Sequence, residues 1–133
     1  MKCLIAEDNQ QNYKLLKRML SDYVNADIAM DGNKALESFT KAHENNAPYD
    51  LIFLDIIMPG FNGHEVLSKI RKWEQDNLKG QEGVKIVMAT SKDDTDTVVS
   101  SYDLGCQHFL MKPYDNFELI DLMQEMGFEK KSG

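Results

Sequence analysis

A chain of 133 residues, 42% hydrophobic and 28% charged, suits one globular domain with a real core, and no apolar run approaches the roughly 20 residues of a membrane span. A net charge of −7 argues against direct binding to nucleic acid or an anionic membrane, where basic patches supply affinity, and leaves a basic partner or a bound cation open. Two cysteines, Cys3 and Cys106, without a CxxC or a Cys/His cluster, read as small core thiols, and the opening MKCLIAEDN turns acidic too early for a signal peptide, so the expected compartment is the cytoplasm.

Apolar runs and helical periods alternate along the chain. KCLIA, 2–6, reads as a short buried strand. Residues 9–23 place Leu15, Leu16, Met19, Leu20 and Tyr23 at helical spacing. ADIAM, 26–30, reads as a strand ending at the turn Asp31-Gly32. Residues 33–45 fit a helix with Ala35, Leu36 and Phe39 inward, and Pro48 stops it. DLIFL, 50–54, is apolar at nearly every position, as expected of a strand covered on both faces.

MPGFNG, 58–63, is a loop by its proline and two glycines. Residues 64–77 put Val66, Leu67, Ile70 and Trp73 on one helical stripe. After the polar loop LKGQEG, VKIVMA at 84–89 forms a fourth strand. Residues 93–105 read as a helix with an acidic first turn and Gly105 as its stop. HFLM, 108–111, is the fifth strand, and residues 115–127 form a last helix with Phe117, Leu119, Ile120 and Met123 inward. Residues 1–127 make the domain, and 128–133 a short polar tail. Five strand–helix pairs in succession imply an α/β fold, a parallel sheet with helices on both faces joined by right-handed crossovers.

The polar residues fall at the strand ends. The first strand stops at Glu7-Asp8, the third at Asp55, the fourth at Thr90-Ser91 and the fifth at Lys112-Pro113. Open parallel sheets bind ligands beyond the carboxyl ends of their strands, so these residues should gather at one rim. Two charges about 4 Å apart repel by ~4 kcal/mol at an effective dielectric near 20. Three clustered carboxylates could then cost on the order of a domain's whole net stability, ~5–15 kcal/mol. Lys112 offsets part of this and a divalent cation would offset more. With only oxygen ligands offered, the cation is a hard one, Mg²⁺. A carboxylate, an acidic cation site, a hydroxyl and an ammonium together suit phosphoryl acceptance. In that chemistry Asp55 is the nucleophile, and Lys112 and Thr90 bind phosphoryl oxygens.

Four motifs in order, Glu7-Asp8, LDIIMPGFNG around Asp55, MATS ending at Thr90-Ser91, and GCQHFLMKPY around Lys112, resemble the receiver domain of two-component response regulators. The resemblance covers roughly residues 2 to 127. It implies a (βα)5, flavodoxin-like fold with strand order 2-1-3-4-5, that of the single-domain chemotaxis regulator. It implies Asp55 as phosphoacceptor, with Glu7, Asp8, Asp55 and the backbone carbonyl of Ile57 as Mg²⁺ ligands. Thr90 and Phe109 would be the switch pair, and the Lys112-Pro113 peptide would be cis. Phosphoryl would come from a sensor histidine kinase or a histidine phosphotransfer protein, and residues 92–127 would present a reshaped face to a downstream partner. The module, a monomer or weak dimer, would catalyse only its own phosphorylation and dephosphorylation and so is not an enzyme with turnover. Ile57 and Lys92 stand where this family tunes phosphoryl loss, and an apolar Ile57 implies slow to moderate loss.

Three other readings compete. Haloacid-dehalogenase-like aspartyl-phosphate hydrolases want a general acid two residues after the nucleophile, where this chain has Ile57. A flavodoxin-like electron carrier needs a phosphate-cradling loop after the first strand, where this chain has the acidic AEDNQQN. The third is a receiver belonging to a longer hybrid kinase.

Overall fold

A computed structural model describes residues 2–56, 58, 60–91, 105–106, 108–112 and 114–130, with the side chains of 90 and 91 excepted. Five parallel strands form one sheet, β1 (Lys2–Ala6), β2 (Asn25–Ala29), β3 (Leu51–Asp55), β4 (Lys85–Ser91) and β5 (His108–Lys112), in the order β2-β1-β3-β4-β5. Four described helices accompany them: α1 (Gln10–Leu20), α2 (Gly32–Glu44), α3 (Gly63–Asn77) and α4 (Asn116–Glu125). The helix expected over 93–105 lies outside the described residues except for Gly105, whose φ of 104° suits glycine.

Strand alternation sorts the core into two layers. Leu4, Ile52, Leu54, Ile86 and Met88 face α2 and α3, packing with Phe39, Val66, Leu67 and Ile70. Cys3, Ile5, Leu51, Phe53, Val87 and Leu110 face α1 and α4, packing with Leu16, Leu20, Leu119 and Met123. β3 sits at the centre, buried at every position, because both its faces are covered.

The helix starts are capped by side chains. Asn9 accepts from the Asn12 N–H at 3.0 Å, Asp31 from Lys34 at 2.7 Å, and Asp115 from Phe117 at 2.8 Å. Asn62 and Glu65 form a reciprocal capping box on α3. At the end of α4, Gly127 has φ 88°, and the Phe128 N–H donates to the Met123 carbonyl at 2.9 Å. Phe128, the first residue of the expected tail, therefore folds back into the core and is buried.

Some expectations need correction. Leu15 is 41% exposed, because the face that α1 turns to the sheet is set by Leu16 and Leu20, with Tyr13 and Met19 at its edges. Phe117 is 79% exposed in the first turn of α4, where Leu119, Leu122 and Met123 form the buried stripe and Ile120 is only half-buried. Trp73 meets the Phe39 ring edge-on at 5.3 Å, so it packs between α2 and α3. β4 runs two residues further than the apolar run suggested, taking Thr90 and Ser91 into the ladder opposite Met111 and Lys112. The two cysteines are free and buried, as read from their spacing.

Candidate functional site

The β1–β3 register pairs Ala6 with Leu54, so the next step of each strand brings Glu7 beside Asp55. Ser91 pairs with Lys112 two strand pairs further along. The side-chain period of two puts Glu7 in phase with Cys3 and Ile5, Asp55 with Leu51 and Phe53, and Lys112 with Leu110. All three therefore emerge at one rim on the same side of the sheet. Phe109, one residue out of phase, packs against the opposite layer.

Lys112 Nζ lies 2.8 Å from Glu7 Oε1 and 3.0 Å from Asp55 Oδ2. Glu7 and Asp55 are buried, 2% and 6% exposed, so their charges are poorly served by water. Asp8 is exposed, yet an oxygen of each of Glu7, Asp8 and Asp55 falls within 4.8 Å of the others. The Asn9 N–H donates to Glu7 Oε2 at 3.3 Å. Glu7 Oε1 is buried and ion-paired with the Lys112 ammonium. Three carboxylates with oxygens within 4.8 Å of one another, against one ammonium, fit a hard divalent cation.

Electrostatics divide the two buried acids. Burial, then the neighbouring Glu7, pushes the Asp55 carboxyl up to about 7 against the pull of Lys112. Burial also raises Glu7, but hydrogen bonding to Asp55 and Lys112 outweighs it and holds Glu7 below the usual carboxylate range. Burial lowers the Lys112 ammonium, and the two carboxylates more than reverse that. Without a metal, Asp55 is thus the member of the pair that takes up a proton first as pH falls.

The remaining site residues divide cleanly. Thr90 has its backbone on β4 opposite Met111, and its side chain lies outside the described part of the structure. Ile57, Lys92 and Pro113, and with Pro113 the expected cis peptide, lie outside the described residues. Three contributors were not read from the sequence. Tyr114 is half-buried beside the rim, where burial, then the charges of Glu7 and Asp55, drives its phenol above the ordinary range. Gly32 and Asn33 touch the loop after Asp55. The sequence signal for them was Asp31-Gly32, read only as a turn.

A family model, the response regulator receiver domain, matches residues 3–124. The chain belongs to this family. As a receiver domain it is 35% identical over 121 residues to a probable transcriptional regulator, ycf29, of Porphyra purpurea, covering 87% of this chain and 53% of that one. It is 33% identical over 118 residues to the response regulator ArlR of Staphylococcus aureus, covering 88% and 48%. The receiver thus spans about half the length of these curated relatives. A solved complex of the Saccharomyces cerevisiae histidine phosphotransfer protein Ypd1 with the receiver domain of Ssk1 matches with TM-score 0.81 and 27% identity, over 96% of this chain and 88% of that chain. The chemotaxis protein CheY4 of Vibrio cholerae matches with TM-score 0.76 and 25% identity, over 94% and 97%. The expected sheet order, 2-1-3-4-5, is the order found. No described helix is long and apolar enough to cross a membrane.

Proposed function

We propose that this receiver accepts a phosphoryl group on Asp55 from a histidine kinase or a histidine phosphotransfer protein, in a Mg²⁺-dependent reaction. The observation that carries this is a buried Asp55 carboxylate 3.0 Å from Lys112 Nζ within a cluster of three acids. Mg²⁺, held by Glu7, Asp8, Asp55 and the Ile57 carbonyl, would neutralise charge on the transferred group. Asp55 supplies the attacking oxygen, and the phosphorus–nitrogen bond to the donor histidine breaks as the new phosphorus–oxygen bond forms. Lys112, already charged and fixed between two carboxylates, is released from Asp55 to pair with a phosphoryl oxygen. The Thr90 hydroxyl donates to another.

The acyl phosphate then biases two states of the protein, with Thr90 and Phe109 as the moving pair and the face over residues 92–127 as the readout to a partner. The phosphoryl group is lost at a slow to moderate rate, because Ile57 offers no polar group to orient a water. The module, a monomer or weak dimer, runs through Phe128, which packs in the core, and 129–133 act as its tail.

The test is incubation with acetyl phosphate, with and without Mg²⁺, followed by intact-mass measurement beside the Asp55→Asn variant. One added phosphoryl group that needs both Mg²⁺ and Asp55 is the expected result. An adduct that persists in Asp55→Asn would overturn the assignment. Decay of the adduct within seconds would overturn the role given to Ile57.

A further inference from the structure

We propose that Gly32 and Asn33, the first turn of α2, are positioning residues for the Mg²⁺ and phosphoryl site, acting through the loop that follows Asp55. This rests on the function proposed above and adds a part to it. Gly32 is buried, and its φ lies outside the left-handed region. Its backbone conformation is therefore open to any residue, and helix propensity favours alanine there. What demands glycine is approach. A Cβ at Gly32 would overlap the Phe61 carbonyl oxygen and stand 2.7 Å from its carbon and 2.8 Å from the Phe61 Cβ. Beside it, the Asn33 amide packs on Gly60, whose φ is 74°, at 3.5 Å from where a Cβ would sit.

The loop is held from its other side in the same manner. Gly63, the first residue of α3, donates its N–H to the Ile56 carbonyl at 2.8 Å. A Cβ at Gly63 would overlap the Asp55 carbonyl oxygen and stand 2.7 Å from Ile56 Cα. The chain leaving Asp55 is thus gripped between the first turns of two helices, each pressed by a glycine onto a backbone carbonyl. Position 57, whose carbonyl is a proposed metal ligand, lies in sequence between Asp55 and Gly60. Phe61 adds a third anchor, its ring packed on the α2–α3 core with Lys69 Nζ 4.7 Å from its centroid. Where two glycines admit such close backbone approach, a single added methyl must displace the loop or the helix.

The experiment is calorimetric Mg²⁺ titration of the full chain and of Gly32→Ala and Asn33→Ala, with thermal unfolding in EDTA alongside. Gly32→Ala is expected to weaken Mg²⁺ binding by about tenfold or more, the scale of outer-shell substitutions at metal sites, and Asn33→Ala by less in the same direction. A merely structural role would lower the metal-free melting temperature and leave the affinity of the folded protein unchanged. Wild-type Mg²⁺ affinity in both variants overturns the proposal. Asn33→Ala adds no atoms, so it decides the matter if Gly32→Ala does not fold. If the wild-type chain takes neither Mg²⁺ nor phosphoryl, the proposed function fails and this inference with it, an outcome distinct from a normal wild type with unaffected variants.

Discussion

Lys112 Nζ stands 3.0 Å from Asp55 Oδ2 and reaches Glu7 with the same ammonium. Removing it leaves two buried carboxylates facing each other. We predict that Lys112→Met destabilises the metal-free protein by ~1–3 kcal/mol, through an uncompensated buried charge, and that Mg²⁺ restores part of the loss. Phosphoryl uptake from acetyl phosphate should slow at least about tenfold while Mg²⁺ still binds. Urea unfolding in EDTA and in Mg²⁺, with mass measurement of the adduct, checks both. Uptake at the wild-type rate would remove Lys112 from the mechanism.

The raised Asp55 carboxyl gives the metal-free protein a pH signature. Asp55 has its folded carboxyl raised from 3.8 to about 7, so between those values the folded state binds a proton that the unfolded chain has released. Its contribution to stability is full below about 4 and is lost as pH rises through about 7. The loss is on the order of 4 kcal/mol for a shift of that size. Glu7 runs the other way, its lowered carboxyl stabilising the fold above the usual carboxylate range and failing as pH falls below it. Unfolding free energy measured in EDTA should therefore decline from about pH 5 to pH 7, and Asp55→Asn should flatten the decline and stabilise the protein at pH 7. Stability that rises over that interval would contradict the burial-driven shift.

At the opposite end of α3, buried Glu74 accepts from the Val84 N–H at 2.7 Å and from Arg71 Nη1 at 2.6 Å. Arg71 Nε in turn donates to the Gly105 carbonyl at 2.9 Å. One carboxylate thus joins α3 to the start of β4, and its partner joins α3 to the turn before β5. Glu74→Ala leaves a backbone donor and a guanidinium without this acceptor and should cost about 2–4 kcal/mol. The site residues are at the other end of the sheet, so phosphoryl uptake per folded molecule should not change. Chemical unfolding with a parallel uptake assay tests this. A stability loss within ~0.5 kcal/mol of zero would show that water replaces the carboxylate.

Glu74 also marks the limit of what the sequence made legible. The rim acids and Lys112 could be found because each ends an apolar strand, and parallel topology gathers strand ends. Glu74 sits one residue past Trp73 in a charged run, WEQD, and although helical period places it on the stripe of Leu67 and Ile70, its charge reads as that of a solvated residue. Its burial comes from the 79–84 loop folding over it, with Gly83 so close that a Cβ would stand 2.7 Å from the Glu74 Cδ. The same holds for Gly32, whose role depends on where Phe61 lies in space rather than on its own neighbours in sequence. Leu15 shows the reverse error, an apolar residue at helical spacing whose side lies just off the stripe set by Leu16 and Leu20.

Phe117 and Leu119 are both apolar, both in the first turns of α4, and differ in burial from 79% to 1% exposed. The helix start is set by Asp115, which caps the N–H groups of Phe117 and Glu118, and this phase turns Leu119, Leu122 and Met123 onto Val87 and Leu110. Phe117 then faces solvent in the first turn. Phe117→Ser should change stability by no more than about 0.5 kcal/mol, whereas Leu119→Ala should cost about 2–5 kcal/mol through lost burial and a residual cavity. Urea midpoints of the two variants, at unchanged unfolding slope, give the comparison directly. A loss of more than about 1 kcal/mol for Phe117→Ser would mean that the helix is rotated from the phase that the Asp115 cap imposes.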